Sequence, residues 1–424
     1  MQMYLGVDFG TSGARGVVID RQGNIQAQAR YPFANQMLDD TSCWQMALFD
    51  LIEQIPQQLR RKIRASAING TSSTVLLCDA TGVPVTPPLL YNDARGAAVL
   101  EELKSVAPAH HTVLSATSSL VKLLWMKQLP AFTQARYFLH QADWLGFLLH
   151  GKLGISDYHN ALKLGYDVEN LTYPQWLNQL EIPIQLPKVI TPGNPIAEIR
   201  PEIVTKYGFS SNCLLCAGTT DSIAAFLASG AKLPGEAVTS LGSTLVLKLL
   251  SQKRIEDARY GIYSHRWGDF WLVGGASNTG GAVLRQFFTD AQLVTLSQEI
   301  DAASESPWDY YPLLKPGERF PINDANLLPR LEPRPDNHRE FLYGLLESIA
   351  RIEARGYGLL QELGADKLTN VYTAGGGAAN DTWTAIRTRH LGVPVVPSVN
   401  TEAAYGTALL AMRQGLGTLG RWDA

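Results

Sequence analysis

The sequence is poor in cysteine, with four among 424 residues: Cys43, Cys78, Cys213 and Cys216. So few cysteines exclude a disulfide-stapled scaffold and are typical of a reducing compartment. Cys213 and Cys216 have the spacing of a redox or metal pair, but they lie in an apolar run with no second pair nearby. We therefore predict that they are ordinary buried strand residues.

The sequence also lacks an excess of charge and any long apolar run. Its 36 Lys and Arg nearly balance 39 Asp and Glu, for a formal net charge of -3, which argues against nucleic acid as a partner. No window reaches the roughly 18 uninterrupted apolar residues of a membrane-spanning helix, and no basic leader precedes the first strand. We expect a cytoplasmic protein that binds neither nucleic acid nor membrane. No motif indicates a protein partner.

A P-loop of the form Gly-x4-Gly-Lys-Ser/Thr is absent too, but residues 5–20 carry a different phosphate-type motif. Two apolar strands flank a Gly-Thr-Ser-Gly loop, which predicts a β-hairpin. Glycines let the backbone approach an anion, Thr11 and Ser12 add donors, and Asp8 precedes the loop. The motif suits a nucleotide phosphate with its magnesium ion, although an Asp before a turn can also merely cap it.

The pattern of the first hairpin recurs later in the chain. Residues 237–248 again form strand, small polar turn and strand, with Gly242 and Ser243 in the turn. A second pattern, of strand, Ala-Gly loop and helix, occurs at 213–230 and at 370–392. The chain is too long for one ordinary core. These repeats therefore predict two related α/β domains whose loops face one another across a cleft.

Asp221 stands at the start of the helix in the first of these strand–loop–helix segments. An Asp there is a frequent N-cap worth about 1 kcal/mol, so a structural role explains it equally well. If Asp8 and Asp221 share a cleft, one can serve the metal and the other can accept a proton from a hydroxyl. That pair is a phosphoryl-transfer arrangement.

The loop that follows the later strand contains three consecutive glycines, with Gly376 and Gly377 among them. Bare backbone of this kind suits a flat ring, Asn380 can hydrogen-bond a purine edge, and Trp383 can supply an aromatic wall. The alternative is a plain helix entry with Asn380 as its cap.

Two polar segments in the first half leave two interpretations open. Residues 70–74, Gly-Thr-Ser-Ser-Thr, form either a strand bulge or a set of hydroxyls aimed at a polyol. Residues 91–95, Tyr-Asn-Asp-Ala-Arg, form either a turn held by Asp93 and Arg95 or part of a binding pocket.

Together these motifs resemble the FGGY carbohydrate kinase family, within the actin-like, sugar kinase and Hsp70 superfamily. The resemblance covers nearly the whole chain and rests on five motifs in the right order: residues 8–15, 217–221, 241–244, 375–380 and 402–408. They are similar, in turn, to the first phosphate motif, the segment with the catalytic Asp, the second phosphate hairpin, the adenosine motif and the closing Gly-Ala helix.

The resemblance implies two ribonuclease-H-like (actin-like ATPase) domains around a central cleft. It predicts a sugar-binding domain of residues 1–228 plus 402–424, with a returning helix, and a nucleotide-binding domain of residues 229–401. It also implies that the protein uses ATP, together with Mg2+, to phosphorylate a sugar hydroxyl. The expected site residues are Asp221 as base, Asp8 for the metal, Asp8, Ser72 and Asp221 for the sugar, and Thr11, Ser12, Gly242, Ser243, Gly376, Gly377, Asn380 and Trp383 for ATP.

The substrate is less well defined by the same motifs. Residues 91–95 resemble the Trp-Asn-Asp-x-Arg segment of xylulokinases, but Gly70-Thr71-Ser72-Ser73 stands where those enzymes carry Gln-Met-His-Gly. A small hydroxyl in place of an imidazole alters which ketopentose fits, so we expect D-ribulose, with D-xylulose as the alternative. The rivals from other classes are a sugar-independent ATPase of the actin or Hsp70 type and a phosphatase.

Overall fold

A computed structural model of the chain describes residues 2–33 and 39–415. The last part of the predicted first domain, residues 416–424, lies outside them. The strands are β1 (Met3–Phe9), β2 (Gly13–Ile19), β3 (Ile25–Pro32), β4 (Ile63–Gly70), β5 (Val75–Cys78), β6 (Tyr137–His140), β7 (Ile155–Asp157), β8 (Lys188–Ile190), β9 (Pro195–Glu198), β10 (Leu214–Cys216), β11 (Thr219–Thr220), β12 (Glu236–Leu241), β13 (Leu245–Ser251), β14 (Tyr263–Trp267), β15 (Phe270–Ser277), β16 (Asn370–Ala374) and β17 (Val395–Pro397). The helices are α1 (Thr41–Gln54), α2 (Gln57–Arg60), α3 (Leu100–Lys104), α4 (Ser119–Met126), α5 (Gln141–His150), α6 (Tyr158–Ala161), α7 (Pro201–Tyr207), α8 (Asp221–Ser229), α9 (Gly281–Phe287), α10 (Asp290–Gln298), α11 (His338–Glu362), α12 (Asp381–Leu391) and α13 (Ala403–Gly415).

The chain divides into two compact units, each with its own main sheet and apolar core. Among the described residues, unit 1 holds those up to Ala228 together with residues 402–415, and unit 2 holds Ser229–Thr401. This architecture confirms the predicted α/β class with two sheet-based domains.

The unit 1 sheet has the order β3-β2-β1-β4-β10-β9, and β11 pairs with the end of β4. Every residue of β1 is buried, because α1 packs on one face of the sheet and α13 on the other. Small residues let α13 come close. A Cβ on Gly6 of β1 would lie 2.1 Å from the carbonyl oxygen of Ala404, and one on Gly406 would lie 1.9 Å from that of Ala224.

The unit 2 sheet has the order β14-β15-β13-β12-β16-β17. The apolar spacing of residues 339–363 predicts a long amphipathic helix, and this helix is present as α11. Residues 308–335, which their proline and polar content marks as a surface excursion, instead bury Tyr310, Leu313 and Phe320 in the core. The expectation is therefore wrong for residues 310–321, whose apolar side chains join the core despite an irregular backbone. Residues 323–335 are mostly exposed, as expected.

A buried ion pair fixes two helices of unit 2 against the strands beneath them. The Arg387 guanidinium on α12 donates to the Glu353 carboxylate on α11, with Nε 2.6 Å from Oε2, and neither side chain is exposed. Thr239 on β12 donates to Glu353, and Arg387 donates to Thr373 on β16. These two strands lead into the two predicted nucleotide loops. The ion pair therefore fixes the strand ends from which those loops begin.

The four cysteines are free and buried, as we predict for Cys213 and Cys216. Burial raises the pKa of the Cys216 thiol to about 12, so it stays a neutral, unreactive thiol at physiological pH. Within the part of the chain that the structure describes, no helix has both the length and the apolar character needed to cross a bilayer.

Candidate functional site

The carboxyl ends of three parallel strands meet at one edge of the unit 1 sheet. In the pairing of β4 with β1, Asp8 faces Asn69, and in the pairing of β4 with β11, Asn69 faces Thr219. Asp8 is the penultimate residue of β1, and Asp221 directly follows β11. Ligands of α/β proteins bind at such an edge. The fold therefore brings the two predicted acidic residues to one place.

Asp8 is buried, with 4 % of its surface exposed. Its Oδ1 atom accepts no hydrogen bond from any described residue, and its Oδ2 atom is 4.0 Å from Nη1 of Arg15. The pKa of Asp8 is raised to about 7, mainly by burial and then by the charge of Asp221, while Arg15 opposes both. The Oδ1 atom of Asp8 is thus a buried oxygen that is available to a ligand. With a pKa of about 7, part of the Asp8 population is protonated near neutral pH.

Asp221 is the first residue of α8, and its Oδ1 accepts a hydrogen bond from the backbone N–H of Ser222 at 2.6 Å. The side chain is half-buried. Its position at the N-terminus of α8 stabilises the carboxylate through the helix dipole. This contact is the structural role that we left open, and it also holds the carboxylate at the edge where Asp8 lies.

Sequence reasoning missed a charged group beside Asp8. Arg15 on β2 is 3.4 Å from Oε2 of Glu402, and Arg30 on β3 is 3.3 Å from Oε1 of the same residue. Glu402 directly precedes α13, more than 370 positions along the chain from Arg30. In the sequence, Glu402 is noticeable only as the acidic residue that opens the Gly-Ala helix motif. Its pairing with two distant arginines could not be predicted from its sequence neighbours.

The loop of residues 71–74 leaves β4 at this same edge. The backbone N–H of Thr71 donates to Oε1 of Gln141 at 3.1 Å, and the hydroxyls of Thr71 and Thr74 are 2.5 Å apart. Ser72 is half-buried, and no described residue hydrogen-bonds its hydroxyl. The loop thus uses two of its hydroxyls to hold its shape and leaves that of Ser72 available to a ligand.

The segment 91–95 forms the turn that was one of its two interpretations. Asp93 accepts hydrogen bonds from the backbone N–H of Arg95 at 3.0 Å and from its guanidinium at 2.6 Å. A small recess lies beside this turn. Its lining comes from the first hairpin, the loop after β4 and the turn: Gly10, Thr11, Phe33, Trp44, Thr71, Leu90, Tyr91 and Gln141. Thr11 and Ser12 are exposed at the tip of the β1–β2 hairpin.

Unit 2 contains an open cleft of about 570 Å³, within the size range of small-molecule sites. The six predicted ATP-binding residues of this unit all line it: Gly242, Ser243, Gly376, Gly377, Asn380 and Trp383. They come from the β12–β13 turn and from the loop between β16 and α12. Positions more than 130 residues apart thus meet on one surface.

The three glycines of this loop have different surroundings. Gly375 has a φ of 86°, and a Cβ there would lie 2.6 Å from the carbonyl oxygen of Leu241. A Cβ on Gly377 would lie 2.7 Å from Cβ of Leu241 and 2.9 Å from the ring of Trp383. A Cβ on Gly376 would meet only Nη2 of Arg285, at 3.8 Å. Packing therefore requires Gly375 and Gly377, whereas Gly376 faces open space.

Asn380 has the capping role that was one of its two interpretations, whereas Trp383 does not have the role that its sequence suggests. Asn380 caps α12 by accepting from the backbone N–H of Trp383 at 2.9 Å, and its Nδ2 donates to Ser297 Oγ at 2.8 Å. Trp383 is only 2 % exposed and belongs to the unit 2 core. Its ring packs beside Gly377, and the rest of its surface is buried in the apolar core. Trp383 therefore does not form an exposed aromatic wall.

The apolar wall of the cleft comes instead from α10, which the motifs did not indicate. Leu293 and Val294 line the cleft, and Val294 is 61 % exposed. Arg285 on α9 and Ser297 on α10 also line it. A short helix of mixed polarity carries no motif, so only the fold could reveal its position beside the glycine loop.

No three His, Cys, Asp or Glu side chains among residues 2–33 and 39–415 converge as a metal cage. Magnesium bound with a nucleotide does not need one, because it is usually held by one or two carboxylates, phosphate oxygens and water. The buried Oδ1 of Asp8, which lacks a hydrogen bond, is a ligand of that kind. The residues present therefore fit Mg2+.

Two family models cover most of the chain. The N-terminal domain of the FGGY family of carbohydrate kinases matches residues 3–228, and the C-terminal domain of the same family matches residues 237–415. Both units therefore match the same family.

Individual proteins agree with the family models. The xylulose kinase of Bacillus subtilis (strain 168) is 23 % identical over 446 residues, covering 97 % of this chain and 88 % of that protein. The L-fuculokinase of Salmonella typhi is 23 % identical, covering 98 % and 93 %. The ligand-bound crystal structure of xylulose kinase from Lactobacillus acidophilus has a TM-score of 0.85 at 22 % identity, covering 100 % and 91 %. At that identity, the structural likeness shows the shared fold of these kinases.

Proposed function

Because the chain belongs to the FGGY family of carbohydrate kinases, we propose that it transfers the γ-phosphate of ATP to a hydroxyl of a ketopentose, with xylulose as the first candidate. As a member of this family it is a phosphotransferase with an alcohol group as acceptor, which sets aside the sugar-independent ATPase and the phosphatase. The single observation that carries the proposed chemistry is the meeting of Asp8 and Asp221 at one sheet edge.

In this proposal Asp221 is the general base. It accepts the proton of the sugar hydroxyl as the hydroxyl oxygen forms its bond to the γ-phosphorus, and the bond to the bridging oxygen breaks to release ADP. The helix N-terminus and the Ser222 N–H hold the carboxylate in place. Its charge also affects Asp8, whose pKa it raises, which supports a short distance between the two groups.

Asp8 would hold Mg2+ through its unpartnered Oδ1 atom. The ion supplies charge neutralisation to the phosphates when it is bound. Because part of the Asp8 population is protonated near pH 7, metal binding at this residue competes with a proton. Arg15 and Glu402 adjust the charge around Asp8 without forming a metal cage.

The nucleotide would bind in the unit 2 cleft. Gly242 and Ser243 lie at the tip of a hairpin in this cleft and would contact phosphate. For Thr11 and Ser12, which are exposed at the tip of the unit 1 hairpin, phosphate binding remains a proposal from the sequence motif. The open side of Gly376 leaves room for a flat ring against the backbone, with Val294 as an apolar contact.

For the sugar, the relatives and the loop after β4 support different pentuloses. Relatives named xylulose kinase favour xylulose, so our expectation of D-ribulose becomes the second candidate. The observation that still favours D-ribulose is local: the small hydroxyl of Ser72 is available where an imidazole stands in the xylulokinase motif. One hydroxyl's orientation is worth only about 1–3 kcal/mol, which one such side chain can decide.

The test is a coupled assay of ADP release with ATP and Mg2+ in the presence of D-xylulose, D-ribulose, L-ribulose, glycerol or no sugar. Strong stimulation by D-xylulose supports the proposal. Stimulation by D-ribulose alone keeps the kinase and reverses the order of the two candidates. ADP release that no sugar changes, in a protein that binds ATP, overturns the proposal.

A further inference from the structure

Lys122 is a lysine on α4 with no exposed surface. Its Nζ donates to the carbonyl oxygen of Ser73 at 2.7 Å and to that of Leu90 at 2.5 Å. No carboxylate in the described ranges lies within ion-pair distance of it. A buried ammonium without a counter-ion is costly. Its two hydrogen bonds to main-chain carbonyls are contacts that an apolar side chain cannot make.

The two carbonyl groups belong to the two segments nearest the proposed sugar. Ser73 follows Ser72 in the loop after β4, and its φ of 64° places it in the left-handed region. Leu90 immediately precedes the turn of residues 91–95 and lines the small recess. Lys122 is therefore a bridge between two loops that are otherwise joined through the backbone pair Val75–Leu89.

Three charged groups surround Lys122: Asp93 from the turn, Lys163, and Arg95. The pKa of Lys122 is lowered to about 7, mainly by burial and to a smaller extent by the two cations, while Asp93 opposes the change. A neutral amine keeps two N–H groups, which is the number that the two carbonyls require. The bridge is therefore kept on both sides of neutral pH.

We propose that Lys122 is a positioning residue for the sugar: it fixes the Ser72 hydroxyl and the turn of residues 91–95 in one arrangement without touching the substrate. The inference rests on the proposed function, because it assumes that these two loops bind the sugar. The geometry carries it, since the same ammonium group holds both loops by their main chain.

Lys127 offers a matched control on the same helix. It stands at the C-cap of α4, and its Nζ also donates to two carbonyl oxygens, those of Leu180 and Glu181, at 3.1 Å each. Those carbonyls lie outside the two loops. A purely structural lysine on this helix should thus behave like Lys127.

The experiment compares Lys122→Met with Lys127→Met in steady-state kinetics. Losing hydrogen bonds to a charged donor predicts a sugar KM at least about tenfold higher in Lys122→Met, with the ATP KM within about twofold. Lys127→Met should leave both KM values unchanged. Equal changes in the two variants, or a larger change in the ATP KM, would overturn the proposal.

Hydrogen–deuterium exchange read by mass spectrometry separates this inference from the proposed function. Lys122→Met should raise exchange in residues 70–74 and 89–95, and Lys127→Met should not. If the wild type phosphorylates no ketopentose, the proposed function fails and the role of Lys122 in sugar binding fails with it, whereas unchanged exchange in an active enzyme refutes the bridge alone. Lys122→Gln, which keeps one donor group, serves if the Met variant does not fold. If neither folds, Lys122 supports the whole unit and the proposal is wrong.

Discussion

The two units use the same strand order for different chemistry. Along their sheets, β3-β2-β1-β4-β10 of unit 1 corresponds to β15-β13-β12-β16-β17 of unit 2. In each, an antiparallel hairpin lies next to a parallel strand. One position before the last residue of the first strand, unit 1 has Asp8 and unit 2 has Ser240. A carboxylate suits a metal ion, and a neutral hydroxyl avoids repelling phosphate, so this one difference agrees with the roles that we propose for the two units.

The second pair of similar segments does not occupy equivalent places. The main strand of the first segment, β10, lies beyond β4 and two places from β1, whereas the strand of the second segment, β16, lies directly beside β12. The two strand–Ala-Gly–helix segments are therefore alike in sequence and different in topology. A strand followed by a loop and helix is a common local solution, and its recurrence alone does not establish equivalence.

The strongest way to break the comparison is to remove the base from unit 1. Asp221→Ala should lower kcat by about 10³-fold or more, because proton transfer is lost, while ATP affinity stays within about threefold. Isothermal titration with ATP and a kcat measurement check this. Asp40→Ala is the control, since Asp40 caps α1 through the Ser42 N–H and should cost only about 1 kcal/mol of stability. A matching loss of ATP affinity in Asp221→Ala would count against the assignment.

Asp8→Asn should separate activity from stability. The pKa of Asp8 is about 7 in the folded protein, against 3.8 for an ordinary Asp carboxyl, so the folded state binds this proton more tightly. Stability is then lost as pH rises from about 4 to 7, by about 4 kcal/mol in full. Asn carries no charge at any of these pH values, so the substitution removes this loss of stability. The melting temperature of Asp8→Asn, measured by calorimetry, should exceed that of the wild type by several degrees at pH 8 and by little at pH 4. The kinase activity of the variant should fall. An equal gain at both pH values contradicts this account.

The glycine loop of unit 2 provides a test within a single loop. Gly377→Ala should lower the melting temperature, because its Cβ meets Leu241 and Trp383. Gly376→Ala should leave the melting temperature within about 1 °C, because the added methyl group enters open space. It should raise the ATP KM about three- to tenfold, because that space is part of the unit 2 cleft. Thermal melts and ATP titrations of the two variants give the answer. The assignment of Gly376 to the nucleotide fails if its variant binds ATP normally.

The smallest expected effect concerns the sugar loop of unit 1. Ser72→Ala should raise the sugar KM about three- to tenfold through the loss of one hydrogen bond, with little change in the ATP KM. Ser72→His, which restores the imidazole of the xylulokinase motif, should shift the kcat/KM ratio toward D-xylulose over D-ribulose. Steady-state kinetics with both sugars measure it. A larger change in the ATP KM than in the sugar KM would place Ser72 outside the sugar pocket.

Local patterns predicted the family, the α/β class, the first hairpin and the long helix α11. Each rests on residues close together in sequence: the Gly-Thr-Ser loop between two apolar strands, and a 3.6-residue apolar period over 25 residues. The nucleotide residues of unit 2 could be named for the same reason. The cap formed by Asn380 is also a local contact and was one of its two interpretations. The role of Trp383 could not be predicted, because its burial depends on what packs around it.

The sequence by itself determined which motifs exist and in what order, because strand and helix periods and turn residues act over a few positions. Only the tertiary structure decided which side chains meet. It brought Glu402 to Arg15, placed Val294 on the cleft wall, and buried Lys122 between two loop carbonyls. Those contacts arise when strands from distant parts of the chain join one sheet, and no local pattern encodes that pairing.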